Sequence, residues 1–340
     1  MLTNTQIKNN IDFLLKHASA PVKYQTYNKI LKKNPETKFM TEMFANVEKS
    51  NIAREIFSKQ EQDGSWYSGG SWAQAPSYRP KNGHTPVSPK YTTTCWLLSI
   101  LGDMGFTVWN PRVRKACEYV FSYQINNGFI SESRSLENNT NFESLMNNPC
   151  RFSLILIGLA KVGSGNDPRT KKAFDVLLKW QQEDGGWISE FHARQKNWNR
   201  SCPYASYHAA QALYSINNED YKAALHKALK FLFMHLSAKN DREIQRFFYH
   251  GHSLIHELLM FSALNIGLNK RPVQIILDWL MTLYQPAKHC FQYKGKPISK
   301  YSLRKDYMNA RVAKYRLFHL IEKDWLTYYI TRIMQNILHC

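Results

Sequence analysis

The sequence lacks the marks of several protein classes. It has six cysteines but no Cys-x-x-Cys pair, and their spacing suggests no disulfide framework. No apolar run reaches the roughly 18 residues that a membrane-spanning helix needs. Residues 1–16 contain no continuous apolar stretch of the kind that a signal peptide carries. These absences predict a reduced, cytoplasmic protein.

Acidic residues are scarce, and the chain is strongly basic. It has 26 Asp and Glu against 45 Lys and Arg, which gives a formal net charge of +19. Such a surface attracts phosphates, anionic lipid headgroups or nucleic acid. No zinc-finger, RNA-binding-sheet or basic-zipper motif is present. We therefore expect no nucleic acid partner. Peripheral contact with a membrane stays open, and a generally basic surface without such a partner is the alternative.

What the sequence does contain is a repeated unit. Asn110-Pro-Arg is followed fourteen positions later by Gln124, and Asp167-Pro-Arg is followed fourteen positions later by Gln181, so the copies lie 57 residues apart. A further copy of the second half begins at Gln60. Self-similarity at a fixed period indicates a repeated structural unit.

Each unit predicts an outer and an inner helix. Asp167 can cap free N–H groups, and Pro168 suits the first helical position. The apolar residues from Ala173 to Trp180 recur at helical spacing, which indicates an amphipathic outer helix. Other segments are apolar on nearly all sides and predict buried inner helices. These inner segments are about 91–104, 150–162, 204–216 and 252–266.

Alternating inner and outer helices predict an all-α fold, an α/α toroid of about six hairpins around a central, largely apolar cavity. Residues 1–20 are expected to form a flanking N-terminal helix, and residues 21–340 a single toroid domain. The inner helices would present their N-terminal ends on one face, where helix dipoles favour anions. The predicted first hairpin joins 22–33 to 50–60, and the last joins 303–319 to 323–338.

The segments that begin at Gln60 (QxxDGSW) and Gln181 (QxxDGGW) resemble the QW-type repeat of the prenyltransferase and squalene-cyclase superfamily. The resemblance covers about residues 50–320 and is greatest to short, single-toroid, prenyltransferase-like proteins. It implies the toroid fold and chemistry on isoprenoids. Squalene-type cyclases protonate an alkene with an Asp-x-Asp-Asp motif, which this chain lacks. Glu257 and Asp306 are the remaining carboxylic acid candidates, and ordinary ion-paired carboxylates are the alternative for both.

The resemblance also implies a zinc site. Protein prenyltransferases hold zinc with an Asp-x-Cys at one inner helix and a His in a Tyr-His pair on the next. Here Cys150 follows Asn148-Pro149, and His208 follows Tyr207, 58 residues after Cys150. Two features depart from that pattern, because Asn148 replaces the carboxylate and Cys150 lies about one residue out of register.

Other ligand types surround the same place. The predicted metal ligands are Cys150, Cys202, His208 and His252, since two thiolates and two imidazoles suit tetrahedral zinc. Buried packing roles are the alternative for the cysteines. Metal-free catalysis, with Cys150 and His208 as acid and base, is the second alternative.

Substrate contacts are predicted at the same N-terminal ends of the inner helices. The lysine that binds diphosphate in the resembling prenyltransferases corresponds here to Leu145. The anionic head would instead meet other basic residues. These candidates are Arg151, Arg200, His208, His252, Arg304 and Arg311. Aromatic side chains suit isoprenoid tails and carbocations. The aromatic candidates are Trp96, Trp198, Tyr204 and Tyr207.

We therefore expect an isoprenoid-handling enzyme, prenyltransferase-like or terpene-cyclase-like, that binds an allylic diphosphate or a polyprenyl chain. Its partner would be an isoprenoid or another apolar small molecule with an anionic head, and a partner subunit stays open. A non-catalytic toroid that binds lipid or protein is the alternative. Carbohydrate chemistry ranks last, because no convincing carboxylate pair is present.

Overall fold

The all-α prediction is confirmed. The computed structural model describes residues 2–66, 93–131, 149–189, 200–239, 248–249, 252–292 and 323–339, and these are mostly helical. None of the helices in these ranges is long and apolar enough to cross a membrane. The helices are α1 (Asn4–His17), α2 (Ala20–Gln25), α3 (Lys38–Glu48), α4 (Asn51–Ser58), α5 (Thr94–Met104), α6 (Pro111–Phe121), α7 (Pro149–Lys161), α8 (Pro168–Lys179), α9 (Pro203–Ile216), α10 (Lys222–Ser237), α11 (Leu254–Ala263), α12 (Arg271–Met281) and α13 (Lys323–Leu338).

Two short antiparallel strand pairs complete the described structure. The first pairs β1 (Phe248–Tyr249) with β2 (His252–Ser253), and the second pairs β3 (Tyr284–Gln285) with β4 (Cys290–Phe291). The chain divides into unit 1, residues 1–54 with 233–340, and unit 2, residues 55–232. The predicted division into a flanking helix and one toroid domain stays a prediction.

Unit 2 consists of inner and outer helices in alternation. The buried helices α5, α7 and α9 are inner helices, and α7 packs against both of the others. The amphipathic helices α6 and α8 follow α5 and α7 and bury one face each. Repetition of this pair is the arrangement from which α/α toroids are built.

The outer helices begin as the sequence predicts. The side chain of Asn110 accepts hydrogen bonds from the backbone N–H groups of Arg112 and Val113. The side chain of Asp167 accepts one from Arg169 at 2.8 Å. In both helices proline occupies the first helical position, where the missing N–H costs no hydrogen bond. Local sequence therefore fixes where each outer helix starts.

The motif that begins at Gln181 joins two successive outer helices. Gln181 Nε2 donates to the carbonyl oxygens of Gly185, inside the turn, and of Ala224, in α10, both at 2.9 Å. The buried indole of Trp187 donates from Nε1 to the carbonyl of Leu177 in α8 at 2.8 Å. One turn thus fixes the end of one outer helix and the beginning of the next.

The glutamine contacts recur in the other two copies and the indole contact in one, so the repeat in the sequence is a repeat in the structure. Trp66 Nε1 donates to the carbonyl of Ile56 at 2.7 Å, as Trp187 does to Leu177. In the middle copy Ile130 occupies the tryptophan position and pairs with Gln124. The equivalent carbonyl acceptors are Gly64 and Arg112 for Gln60, and Gly128 and Arg169 for Gln124.

In two turns of unit 2 and in one of unit 1, a buried hydroxyl connects the turn to a buried helix. The backbone N–H of Trp187 donates to Ser206 Oγ, in α9, at 2.9 Å. Trp66 and Thr94 make the same bond in unit 2, also at 2.9 Å. In unit 1 the N–H of Phe291 donates to Thr327 Oγ1 at 2.9 Å. The helix that carries Thr327, α13, is therefore anchored in the manner of an inner helix.

Both terminal hairpins differ from the prediction. The order of inner then outer helix in each predicted hairpin makes 323–338 an outer helix, but α13 is buried on nearly all sides and packs against α1 and α11. Its predicted partner, 303–319, lies outside the described residues. In the first hairpin α3 intervenes between the two predicted helical segments. Buried polar residues of α13, among them Thr327 and Thr331, are covered by the protein around this helix.

Arg169 connects α6 to α8. Its guanidinium makes two hydrogen bonds to the Glu118 carboxylate, each at 2.7 Å, and two to Asp167, at 2.7 and 3.0 Å. Its Cζ lies 4.0 Å from the centre of the Phe121 ring. Hydrogen bonding to Arg169 lowers the pKa of both carboxyl groups. The cluster is partly exposed, so its contribution to stability is modest.

The turn glycine Gly185 should not tolerate a side chain. It has φ +89°, and a Cβ there would lie 2.5 Å from the carbonyl oxygen of Lys227. Gly163 also has positive φ, at +77°, but nothing lies within 4 Å of its Cβ position. We expect Gly163→Ala to cost about 1 kcal/mol from backbone strain alone. Gly185→Ala should cost a further 1–3 kcal/mol or so from overpacking. Denaturant unfolding measures both, and equal losses would contradict the close packing.

Arg169→Gln should destabilise the protein in a pH-dependent manner. The pKa values of Glu118 and Asp167 are lower in the folded than in the unfolded chain, so the contribution is complete above about pH 4–5 and is lost as pH falls through the folded values. At pH 7 the loss should be about 0.5–1 kcal/mol. Lys171→Gln removes one charge from the same helix and serves as control. A loss that is independent of pH would contradict the ion-pair assignment.

Candidate ligand site at the start of the inner helices

The inner helices α5 and α7 pack with their backbones in contact. A Cβ at Gly158 would lie 2.5 Å from the carbonyl oxygen of Cys95, and one at Gly102 would lie 2.6 Å from the carbonyl carbon of Lys161. The two contacts advance in the same direction along both helices, so the helices run parallel. Lys161 Nζ also bonds Asp103 at 2.8 Å. This packing fixes the two N-terminal ends on the same side of unit 2.

Each of the three inner helices leaves one large side chain half-buried in its first turn. We name Trp96 of α5, Arg151 of α7 and Tyr204 of α9 the first-turn trio. Neighbouring packed helices have axes about 8–10 Å apart, so long side chains on adjacent first turns can contact one ligand. The N-terminal end of each helix is the positive end of its dipole. The trio therefore provides an aromatic, a cation and a second aromatic in the first turns of three successive inner helices.

His208 lies one turn below Tyr204 on α9 and is buried. The rings of Tyr204 and His208 meet edge to face with centroids 4.6 Å apart. Tyr207 approaches the same imidazole at 5.1 Å. Two tyrosine rings thus fix the orientation of His208 at the trio.

The predicted cysteines lie at the same helix ends. Cys150 is the second residue of α7, and Cys202 is the N-cap residue of α9; both are buried. Burial raises the pKa of the Cys202 thiol, and backbone N–H groups of Ala205 and Tyr204 offset part of that rise. At neutral pH Cys202 is therefore mainly a thiol, whereas a zinc ligand must be a thiolate.

The described members of the predicted zinc set do not fit the metal on their own. Within the described ranges, no three His, Cys, Asp or Glu side chains gather as a metal site requires. His252 lies in β2, and its side chain is outside the described structure. The four-ligand set therefore stays a prediction.

The remaining predicted residues divide between the described and undescribed parts of the chain. Trp198, Arg304, Arg311 and Asp306 lie outside the described residues. Arg200 is exposed just before α9, and Glu257 is buried in α11.

Comparison with known proteins gives fold similarity at low identity. No protein-family model matches the chain, and no curated protein matches it by sequence. A solved structure of a protein from Actinoplanes is 13% identical, with a TM-score of 0.45 over 98% of this chain and 99% of that chain. The apo type II terpene cyclase MstE from Scytonema is 12% identical, with a TM-score of 0.45 over 98% of each chain.

A variant of MstE in complex with geranylgeranyl dihydroxybenzoate (substrate) is also 12% identical. Its TM-score is 0.40 over 98% of this chain and 96% of that chain. We infer no activity from similarity at this level.

Native thiol reactivity tests the burial of the cysteines. Burial raises the pKa of the Cys117 thiol to about 12, and burial also raises the pKa of the Cys202 thiol. We expect iodoacetamide at pH 8 to alkylate both at least about 100-fold more slowly than an exposed thiol, because the thiolate reacts. Peptide mass spectrometry assigns each site, with denatured protein as the control. Fast labelling of Cys202 beside slow labelling of Cys117 would instead indicate an activated thiolate.

Proposed function

We propose that this protein binds an isoprenoid, or a similar apolar molecule with an anionic head, at the first-turn trio. We further propose that it acts on this ligand as a prenyltransferase-like or terpene-cyclase-like enzyme. The observation that carries the proposal is the arrangement of Trp96, Arg151 and Tyr204 in the first turns of three packed inner helices.

The aromatic members suit the tail of such a ligand. Trp96 and Tyr204 offer faces that pack against isoprene units and stabilise positive charge that develops on them. Below them the inner helices are almost entirely apolar, which favours a hydrocarbon chain over a sugar.

The cationic member suits the head. Arg151 presents a planar guanidinium that can donate two parallel hydrogen bonds to a phosphate or carboxylate. The N-terminal ends of the inner helices add positive potential. A tail between aromatic rings and a head on Arg151 would place the reactive allylic carbon near His208.

Proton transfer is the chemistry that the residues offer. His208 is the proposed acid or base, because an imidazole changes charge near neutral pH. Cys150 is the second proposed catalytic residue and lies at the start of the adjacent helix. Zinc held by Cys150, Cys202, His208 and His252 is a separable part of the proposal, and metal analysis tests it independently.

A binding protein without turnover is the second candidate. The raised pKa of Cys202 favours it, since a protonated thiol packs well but reacts slowly. The two candidates share the ligand and differ only in whether it is converted.

Ligand binding should depend on the trio and not on comparable residues elsewhere. Trp96→Ala and Arg151→Gln should each weaken binding of a fluorescent allylic diphosphate about ten-fold, the loss of roughly 1.4 kcal/mol. Trp109→Ala and Arg114→Gln are matched controls; Trp109 is 82% exposed. Fluorescence titration gives the dissociation constants. Equal effects in controls and trio variants would contradict the site.

Turnover separates the enzyme from the binding protein. Purified protein would be incubated with allylic diphosphates of increasing length, and the products identified by mass spectrometry. His208→Ala and Cys150→Ala should bind ligand but not convert it, and Cys117→Ala should behave as wild type. Binding without conversion in wild-type protein would leave the binding role and exclude the catalytic one for those substrates.

A further inference from the structure

The connection between α5 and α6 exposes a tryptophan. Trp109 is 82% exposed, and among the described residues of unit 2 no other large apolar side chain is exposed. Val108, before it, is half-buried, and Pro111, after it, is exposed. We name residues 107–111 the Trp109 tip. An exposed apolar group with a polar rim has the composition of a contact surface.

Hydrogen bonds hold the backbone of the Trp109 tip in place. The N–H of Trp109 donates to Thr107 Oγ1 at 3.4 Å. The N–H of Val108 donates to the carbonyl of Val162 at 2.9 Å, which ties the tip to the connection between α7 and α8. Arg114 Nε donates to the carbonyl of Val108 at 3.2 Å. The fold therefore presents the indole to solvent from a supported backbone.

Basic residues of α6 border the tip. Arg112, Arg114 and Lys115 are all exposed. Arg112 donates to Gln60 Oε1 and to the carbonyl of Phe57, which are neutral acceptors. In the parts of the chain that the structure describes, no carboxylate lies within ion-pair distance of these three cations. Their positive charge therefore remains available to an anionic partner.

The carboxylates of the neighbouring elements do not cancel this charge. Glu118, in α6, and Asp167, in the connection between α7 and α8, are both hydrogen-bonded to Arg169 at 2.7 Å. Glu219 and Asp220 lie in the following connection, after α9, where the surface becomes acidic. The basic surface is thus local to the Trp109 tip and the first turns of α6.

We propose that the Trp109 tip binds a membrane surface that carries anionic lipid headgroups. An indole suits the boundary between headgroups and acyl chains, because its ring is apolar and its N–H can meet water. Cations beside it are attracted to the negative surface of such a membrane. A protruding side chain can enter lipid, whereas binding of a peptide segment commonly uses a groove. This inference does not rest on the proposed isoprenoid function.

Sedimentation of the full chain with lipid vesicles tests the proposal. We expect binding to vesicles of phosphatidylcholine mixed with phosphatidylglycerol, and much weaker binding to phosphatidylcholine alone. Trp109→Ala should weaken binding to the mixed vesicles about ten-fold, because the indole no longer leaves water. Arg114→Gln should weaken it about five-fold, as expected for one charge at an anionic surface, and Arg114→Lys should retain it.

Two matched variants control for general effects of charge and apolar surface. Met234→Ala removes another exposed apolar side chain, which is 72% exposed, and Lys179→Gln removes an exposed charge at the end of α8. Both should bind the mixed vesicles as wild type does. Weakening by these controls equal to that by the tip variants would show unspecific attraction and overturn the proposal, as would no binding of wild type to the mixed vesicles.

Fluorescence quenching measures whether Trp109 itself enters the membrane. Lipids with brominated acyl chains should quench part of the tryptophan emission of wild-type protein. Trp109→Phe keeps an aromatic ring, so it should still bind the mixed vesicles, but this quenching should be lost. Quenching that is unchanged in Trp109→Phe would place a different tryptophan in the membrane and would overturn the proposal.

An acidic protein is the other partner that a basic, aromatic tip could bind. A glutamate–tyrosine copolymer serves as its probe. Binding of the copolymer that depends on Trp109, without binding to the mixed vesicles, would overturn the membrane proposal in favour of a protein partner. The titrations of the first-turn trio contain no vesicles, so their result and the vesicle result are independent. Failure of one proposal is thereby distinguished from failure of the other.

Discussion

The structure of unit 2 depends on one interaction, the hydrogen bonds of a glutamine side-chain amide in each turn. Gln60, Gln124 and Gln181 each connect their own turn to the backbone of the next outer helix. Every residue type has a backbone carbonyl, so the acceptor at the helix start is present whatever the sequence. The hydrogen bond is therefore retained when the sequences of the helices that it joins change. Successive hairpins are thereby held at a constant spacing by a bond that requires no particular side chain on the second helix.

The turn also determines where the inner helices begin. The residue that closes the motif donates its N–H to a hydroxyl in the first turn of an inner helix, as Trp187 does to Ser206. That bond fixes the position of the inner helix along its own axis relative to the turn. The residues of the first-turn trio are positioned by it, because each inner helix either makes such a bond or packs against a helix that does. The scaffold thus places the candidate ligand site, while the identity of three side chains determines what it can bind.

The sequence predicted best what is determined locally. Caps at Asn110 and Asp167, glycine turns and the glutamine motif each require particular residues at fixed spacing, so a period of 57 residues was enough to find them. The role of α13 was missed because burial depends on what packs around a helix. Thr327 is polar, yet it is a buried anchor. Cys150 and His208 lie on adjacent inner helices, but side-chain clustering depends on a register that their spacing in the sequence alone does not give.

Two arginines show why charge composition is a weak guide to function. A net charge of +19 predicts affinity for anions everywhere on the surface. Arg169 shows the ordinary fate of such a cation, since two carboxylates neutralise it at the surface. Arg151 differs in its place, because it lies half-buried in the first turn of an inner helix. Position within the fold, and not the number of basic residues, therefore distinguishes a candidate binding site from a basic surface.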